Sequence, residues 1–371
     1  MIAVAALGDL AEFIRGVTFK PEQVSTPDDV EAVACLRTKN VQAQLETSDL
    51  VFVPRSVVKN EAQMVRHGDI VISSANSWNL VGKSSWVGDL DFEAAIGGFI
   101  CLLRVTRDDV DARYLYRWFS SPRIQAIVRS FGQKTTNISN LNLGRARELE
   151  VPLPPLPEQR RIAAILDQAD ELRSKRRRAL TLLDELADSV FVDMFGKNKS
   201  GLSSVALGDL VSFSSGRFLP AKKMVEGGDV PVFGGNGING HHDEAMFDVP
   251  QIVVGRVGAY CGVVHGTPAK SWVTDNALIA RWDSKIFHFD YLRDVLTQSK
   301  LNALASQSGQ PLISAGRIAG VQIAVPSMAL QLEYSVRIKE IQHVGNALQI
   351  QLESFGELFV SLQHRAFRGE L

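Results

Sequence analysis

The sequence of 371 residues predicts an α+β fold, in which two similar globular domains of mixed strands and helices are separated by two long helices. Three observations support this prediction. An apolar 3-4 repeat runs through residues 151–196, a similar repeat fills the C-terminal end, and short motifs recur in the same order before each repeat. Because a long amphipathic helix must bury its apolar stripe, we expect the two helices to form an antiparallel coiled coil with a pseudo-two-fold internal repeat.

The predicted organisation has four segments. We expect a first globular domain over 1–153, a first spacer helix over 154–198, a second globular domain over 199–326 and a second spacer helix over 327–371. A single hydrophobic core rarely grows beyond roughly 250 to 300 residues, so this length favours two domains. The prolines that follow Val151 fix extended backbone, and the first helix should therefore begin no earlier than Pro157.

Short apolar runs bounded by turn residues predict the strands of the first domain. These runs begin at Val51, Gly68, Gly82 and Ile96. From Asp111 the apolar spacing becomes helical and predicts one or two helices, and the run RELEVPLP before the first spacer helix predicts a closing strand.

The apolar repeat also predicts which side chains form the seam between the long helices. On the first helix these are Ile162, Ile165, Ala169, Leu172, Ala179, Leu183, Leu186 and Val190. On the second helix they are Ile341, Val344, Leu348, Phe355, Leu358 and Leu362. The basic run RSKRRR from Arg173 is more typical of a solvated helix face than of a phosphate-binding track, although it could also face a partner subunit.

Motifs of the first half return in order in the second half. The tetrapeptide LGDL occurs at Leu7 and again at Leu207, and each copy is followed by an apolar pair and a glycine. The later echoes are GDIVISS with PQIVVGR, SWV at Ser85 with SWV at Ser271, GQ at Gly132 with GQ at Gly309, LEVPLP with VQIAVP, and FV at Phe191 with FV at Phe359. Each match is weak by itself, and their common order is the stronger signal.

Composition restricts the class of protein without naming a partner. The net charge of −1 neither demands nor excludes nucleic acid, because a balanced total can hide basic surfaces. Cys35, Cys101 and Cys261 have neither the number nor the spacing of a disulfide framework or a metal site. No signal peptide and no apolar run near the roughly 18 residues of a membrane span are found, so we expect a soluble cytoplasmic protein.

The sequence offers little catalytic chemistry. VGKSS, from Val81, ends like a phosphate-binding loop but lacks the earlier glycine, which favours a hairpin. GNGING, from Gly235, fits a dinucleotide motif but is not followed by a helix of small residues, and the following HHD more often belongs to a solvated loop than to a metal site. A nucleotide-binding enzyme is thus a less favoured alternative, and we expect no catalytic or metal-binding residues.

The string LEVPLPPLPEQRRIAAILDQAD, from Leu149, resembles the junction of the DNA specificity subunit of type I restriction-modification systems. The stretch from Pro231 to Gly262 is similar to a common form of that family's target-recognition domain. The resemblance covers essentially the whole chain. The second junction departs from it, because AVPSMALQLEY retains Pro326 and Gln331 without the PLPPLPEQ string, so we expect a looser helix entry and less symmetric partner docking.

The resemblance implies a function for each part. In this family, two target-recognition domains each read one half of a bipartite double-stranded DNA site, and two helical regions set the gap between the halves. The subunit recruits two methyltransferase subunits, which modify adenine with S-adenosylmethionine, and through them restriction subunits that use ATP and Mg. It has no catalysis and no bound cofactor of its own. The alternative is a coiled-coil docking scaffold that lacks its own DNA specificity.

Glycine-rich turns with polar side chains supply the candidate DNA contacts. Arg can fork onto guanine, Asn or Gln can pair with adenine, and Lys can bind phosphate. The candidates in the first domain are Asn76, Lys83, Gln133, Lys134 and Asn137, and those in the second are Asn236, Arg256, Tyr260 and Gln310.

Overall fold

A computed structural model describes residues 3–131, 133–134, 138–196, 204–306 and 309–371. The chain divides into two compact units, which do not follow the four linear segments. Unit 1 takes in residues 1–177 and 350–371, and unit 2 takes in residues 178–349. Each long helix is therefore shared between the two units, because each globular domain packs on a part of both helices.

Unit 1 contains twelve short strands and four short helices among its described residues. The strands are β1 Ala3–Ala6, β2 Ala11–Arg15, β3 Ala32–Leu36, β4 Val51–Pro54, β5 Ile70–Ser73, β6 Ala75–Asn76, β7 Ser84–Trp86, β8 Ala94–Ile96, β9 Ile100–Val105, β10 Gln133–Lys134, β11 Ser139–Asn140 and β12 Glu150–Leu153. The helices are α1 Leu7–Leu10, α2 Ala112–Phe119, α3 Pro122–Ser130 and α4 Leu143–Arg147. The strands predicted from Val51, Gly68, Gly82 and Ile96, the helices after Asp111 and the closing strand are confirmed.

The main sheet of unit 1 has the order β2-β9-β5-β7, and a smaller sheet has the order β4-β3-β8. All four residues of β5 are buried, because both of its faces are covered. Ile70 and Ile72 face one hydrophobic cluster together with α2, whereas Val71 faces a second cluster together with β3 and β8. The continuous apolar run in the sequence follows from this two-sided burial.

Unit 2 repeats this topology. Its described strands are β13 Ser204–Ala206, β14 Val211–Ser215, β15 Val230–Gly234, β16 Gly237–His242, β17 Ile252–Gly255, β18 Val264–Gly266, β19 Trp272–Val273, β20 Ala277–Trp282 and β21 Gln322–Ala324. Its short helices are α6 Phe289–Gln298 and α7 Ala315–Ala319. The sheets run β14-β20-β17-β18 and β16-β15-β19, which are the orders found in unit 1. The predicted repeat of the fold is thus present in the sheets.

The structure confirms one of the predicted motif echoes and contradicts another. The two LGDL copies correspond, since the amide of Leu7 donates to the carbonyl of Leu149 and that of Leu207 to Val321, both at 2.8 Å. The SWV echo is wrong, because the first copy ends in β7 of the main sheet and the second lies in β19, which pairs in parallel with β15 of the smaller sheet. Gly132 of the GQ echo lies outside the described residues.

The FV echo is out of register by one helical turn. In unit 2 the ring of Phe195 lies 4.7 Å from that of the buried Tyr291, and in unit 1 the ring of Phe367 lies 5.6 Å from that of the buried Tyr114. Both tyrosines donate to the carbonyl at the end of the closing strand, at 2.8 and 2.7 Å. Phe195 and Phe367 are therefore the equivalent residues.

The long helices are α5 Leu156–Phe195 and α8 Met328–Ala366. Helix α5 begins one residue earlier than the limit set at Pro157. In each unit, the described parts of the two helices pack together under the globular domain. No helix in the described part of the chain is long and apolar enough to cross a membrane.

Gln159 attaches α5 to unit 1. Its side chain is fully buried and makes three hydrogen bonds. The amide nitrogen donates to the carbonyls of Asp109 and Pro154, both at 2.9 Å, and the amide oxygen accepts from the backbone of Asp111 at 2.8 Å. These bonds tie the junction, the turn that follows β9 and the start of α2 to the first turn of the helix.

Gln331 attaches α8 to unit 2 in the same way. It is also fully buried, donates to the carbonyls of Ile286 and Pro326 at 2.9 Å, and accepts from the backbone of His288 at 2.8 Å. The expectation of a looser second helix entry is therefore wrong. The glutamine carries the attachment, and the missing prolines do not alter its hydrogen bonds.

The predicted seam is right in part. Ile162, Ala169, Leu362, Val190 and Ile341 pack in the two main hydrophobic clusters. Four other predicted seam residues are about half exposed, namely Leu172, Leu186, Val344 and Leu358. Two arginines of the basic run pack on the facing helix instead, with the guanidinium of Arg173 4.6 Å from the ring of Phe359 and that of Arg176 6.0 Å from Phe355. The start of the basic run is therefore not a solvated face.

Candidate nucleic-acid interface

A closed loop joins β5 and β7 at the edge of unit 1. The amide of Ser73 donates to the carbonyl of Lys83, and the amide of Gly82 returns to Ser73, both at 2.8 Å. Gly82 has a φ of +82°, and a Cβ there would approach the side chain of Val128 to 2.5 Å, so only glycine fits. VGKSS therefore belongs to a hairpin, as predicted, and not to a phosphate-binding loop.

Unit 2 has the same loop between β17 and β18. The amide of Gly255 donates to the carbonyl of Val263, and the amide of Gly262 returns to Gly255, both at 2.8 Å. Gly262 has a φ of +85° and lies against the backbone of Asn302. The two units thus present a loop of one design with different side chains.

The four candidates of unit 2 lie at one edge of the domain. Gly235 and Asn236 form the two-residue turn between β15 and β16, and the carbonyl of Gly235 lies 2.7 Å from where a Cβ of Gly255 would be. Arg256, which follows Gly255 at the end of β17, is half-buried and donates to the Ser215 hydroxyl at 3.3 Å.

Tyr260 and Gln310 complete this edge. Tyr260 is 47% exposed. It lies two residues after Gly258, whose amide donates to the carbonyl of Pro311 at 2.9 Å. The amide nitrogen of the exposed Gln310 lies 3.6 Å from the position a Cβ of Gly258 would take. An arginine, two amides and a phenol thus share one surface, which suits hydrogen bonding to base edges and phosphates.

The candidates of unit 1 are placed less uniformly. The half-buried Asn76 donates to the Ser73 hydroxyl at 3.1 Å and accepts from the backbone of Ser77 at 2.8 Å, so its amide shapes the loop. The ammonium of Lys83 donates to the side chain of Gln42. Strand β10, formed by residues 133–134, pairs with β11, which pairs with β6, so the backbone of Gln133 and Lys134 shares a small sheet with Asn76. Asn137 lies outside the described residues.

GNGING forms a hairpin, which removes the dinucleotide interpretation. Gly234 pairs with Gly237 across the two-residue turn, so the motif leads from strand to strand and no helix amides face a phosphate. His241 and His242 lie in β16 and not in a loop, and the ring of His242 stands edge-on to Trp272 at 5.4 Å. Among the described residues, no group of three His, Cys, Asp or Glu side chains could hold a metal ion.

The three cysteines are buried and suit packing better than nucleophilic chemistry. Burial raises the pKa of the Cys35 thiol to about 11 and that of Cys101 to about 12. Burial also raises the pKa of Cys261. Because the thiolate is the reactive form of cysteine, these side chains stay neutral at physiological pH.

Comparison with known proteins decides the family. The model of the type I restriction modification DNA specificity domain matches residues 2–182 and 199–352. The chain belongs to this family. The two matched segments each contain one of the repeated globular domains described above.

Individual specificity subunits support the assignment. The StySPI specificity subunit of Salmonella potsdam is 24% identical over 416 residues, which cover 100% of this chain and 89% of the relative. The EcoKI specificity subunit of Escherichia coli is 33% identical over 166 residues, covering 44% of this chain and 35% of the relative.

Solved structures from type I restriction-modification systems share the fold. The S subunit of M. genitalium superposes with a TM-score of 0.62 at 16% identity, covering 99% of this chain and 96% of that one. A chain from a study of complex assembly and conformational transition of the type I restriction-modification system gives a TM-score of 0.55 at 16% identity, covering 100% and 98%. At such identities these likenesses establish the fold alone.

Sequence reasoning missed two exposed side chains at the candidate edges of this DNA specificity protein. Phe99 precedes β9 in unit 1 and is 64% exposed, and Asn276 precedes β20 in unit 2 and is also exposed. The available signal was the pair Gly97–Gly98, which permits a tight turn before a buried strand.

Proposed function

We propose that this chain reads a bipartite DNA sequence, one half with each unit, and recruits adenine methyltransferase subunits and, through them, restriction subunits. One observation carries the proposal. The same sheet order, glutamine attachment and closed loop occur twice, while the exposed side chains at the loop edges differ. A repeated scaffold with different contact residues suits two half-sites of different sequence.

The proposed contacts follow the chemistry of each side chain. In unit 2, Arg256 would fork onto guanine, Asn236 and Gln310 would pair with adenine, and Tyr260 would support a phosphate or base contact. In unit 1, Lys83 would bind phosphate, and Asn76, Gln133, Lys134 and Asn137 would contribute from the small sheet and its loop.

Exposed apolar side chains on the long helices support recruitment of a partner. In unit 2, Leu182 and Leu186 of α5 are 53% and 47% exposed, and Leu332 and Val336 of α8 are 47% and 60% exposed. Each pair has i, i+4 spacing, so its members share a helix face. Helices that already bury a seam and still expose such pairs suit packing against further helices. We call these two exposed pairs together the apolar helix face, and we assign to them the binding of the methyltransferase.

In this proposal the chain is a non-catalytic subunit. S-adenosylmethionine, ATP and Mg would be bound by the partner subunits. Recognition and assembly would be the whole contribution of this chain.

Methylome sequencing of cells that carry this chain with its methyltransferase tests the proposal. We expect one gapped motif with N6-methyladenine in both halves. An active methyltransferase complex that leaves no gapped motif would contradict it. A gel shift with randomised DNA, with and without the methyltransferase, separates the proposal from a scaffold that lacks DNA specificity, because only a reader enriches one bipartite site.

A further inference from the structure

Two equivalent turns occupy the candidate DNA edges and share one backbone hydrogen bond, in which the carbonyl of the turn accepts from the residue that follows β5 or β17. In unit 1 the carbonyl of Phe99 accepts from the amides of Ser74 and Ala75, both at 3.0 Å. In unit 2 the carbonyl of Asn276 accepts from the amide of Arg256 at 2.9 Å. Each turn leads directly into the strand that lies second in the main sheet, β9 or β20. Phe99 and Asn276 are therefore structurally equivalent residues.

The chain behind each turn is tightly packed. A Cβ on Gly98 would lie 3.3 Å from both the Thr18 hydroxyl and the carbonyl of Val17. In unit 2, the place of a Cβ on Gly235 lies 3.3 Å from the carbonyl of Asn276. With the backbone held on both sides, the side chain at this position projects from a rigid support.

The side chains themselves have opposite chemistry. Phe99 is 64% exposed, beside the loop that contains Asn76. Asn276 is exposed beside Arg256, and within the described residues its amide group makes no hydrogen bond. A single exposed apolar residue is common on proteins. Here, however, the equivalent position of the repeat carries a free amide, so one fixed position presents an apolar group in one unit and a donor-acceptor group in the other.

We propose that this position determines specificity in both half-sites. Phe99 contacts the 5-methyl group of a thymine in the half-site read by unit 1, and Asn276 pairs with N6 and N7 of an adenine in the half-site read by unit 2. The assignment rests on the proposed function and adds the class of base that each unit reads at this position.

Modified duplexes test it. The motif found by methylome sequencing is synthesised with each thymine of one half-site replaced in turn by deoxyuridine, which lacks the methyl group, and each adenine of the other half-site replaced by 7-deazaadenine, which lacks N7. Binding of the complete methyltransferase complex is measured. We expect one deoxyuridine to weaken binding about fourfold, and one 7-deazaadenine to weaken it roughly tenfold.

The variants assign these effects to residues. Phe99→Ala should bind the unmodified site less tightly and lose the response to deoxyuridine, while keeping the response to 7-deazaadenine. Asn276→Ala should do the reverse. Val30→Ala, a fully exposed apolar residue of unit 1, is the matched control and should keep both responses.

The contrary outcomes are distinct. If Phe99→Ala still responds to deoxyuridine, or Asn276→Ala still responds to 7-deazaadenine, the inference is overturned while the bipartite motif stands. The same holds if either variant relaxes the sequence specificity of both half-sites together. A half-site of unit 1 without thymine also overturns it. A wild-type complex with no gapped motif overturns the proposed function and this inference with it.

Discussion

Gln159 and Gln331 show that one buried amide can fix the junction between a domain and a long helix. Gln331→Ala would leave the amide of His288 and the carbonyls of Ile286 and Pro326 without this partner. A buried group that loses its hydrogen bond costs about 1 to 3 kcal/mol, so we expect unit 2 to lose roughly 2 to 4 kcal/mol of unfolding free energy. Urea unfolding followed by circular dichroism measures the change.

Gln351, which is exposed on the same helix, provides the control for this variant. Gln351→Ala should change stability by less than about 0.5 kcal/mol. If Gln331→Ala behaved like Gln351→Ala, the buried amide would not be what attaches the helix.

Arg256 and Lys83 should affect DNA binding in different ways. If Arg256 reads a base, Arg256→Ala should cost about 1 to 3 kcal/mol and relax one position of one half-site. If Lys83 binds a phosphate, Lys83→Ala should weaken all sequences alike and reduce the slope of log affinity against log salt by about one unit. Salt titrations of binding to the specific site and to random DNA measure both effects. A sequence-selective loss in Lys83→Ala would reverse the assignment.

At the contact between a domain and its long helix, the positions of the positive and negative side chains are exchanged between the two repeats. In unit 1, Arg113 of α2 pairs with Asp167 of α5 at 2.8 Å. In unit 2, the equivalent position on α6 is Asp290, which lies 3.7 Å from Lys339 of α8. A helix placed on the wrong domain would bring like charges together. The reversal therefore favours the native match of each helix with its own domain.

Arg117 is the most buried cation of this contact. Its guanidinium binds Asp167 at 2.7 Å and Asp170 at 2.9 Å, and its side chain is 5% exposed. Because both carboxylates are about one-third exposed, we expect Arg117→Ala to cost about 2 kcal/mol, below the 3 to 5 kcal/mol of a fully buried pair. Arg107→Ala, which breaks an exposed pair with Asp109, should leave the unfolding free energy almost unchanged. Equal losses in urea unfolding would show that burial is not decisive.

The apolar helix face can be tested without disturbing the seam. Replacing Leu182 and Leu186 with Glu places two charges on half-exposed positions, so the fold should be retained while packing against a partner helix is lost. We expect at least tenfold weaker co-purification of the methyltransferase. Glu185→Gln, at an exposed position between them, should have no effect. Unchanged methyltransferase binding by the double variant would move the docking surface elsewhere.

Periodicity predicted the elements well because strands buried on both faces and long amphipathic helices leave strong patterns, as Ile70–Ser73 and the α5 repeat do. Periodicity placed Leu172 in the seam and Arg173 outside it, because it depends on whether a residue is apolar and not on how far its side chain extends. The aliphatic stem of Arg173 lets its guanidinium lie over Phe359, which no spacing rule contains. Phe99 was missed for a similar reason, since its exposure depends on how the turn packs against Ser74 and Ala75.

At the scale of the whole molecule, the boundary between the two units crosses each long helix at a point where residues can be inserted without changing either unit. The division falls between Arg177 and Arg178 in α5 and between Gln349 and Ile350 in α8. Seven residues of helical sequence at both points preserve the 3-4 repeat and leave the contacts inside each unit intact. At about 1.5 Å per residue the insertion adds roughly 10 Å of helix, which corresponds to about three base pairs.

If the helices set the gap between the half-sites, this variant should methylate a motif with both halves unchanged and the gap longer by about three base pairs. Methylome sequencing reads both features in one experiment. A variant with the insertion in α5 alone serves as the comparison. Its two long helices differ in length, so it should lose methylation. A doubled insertion that keeps the original gap would show that the spacing is set by the bound methyltransferase and not by these helices.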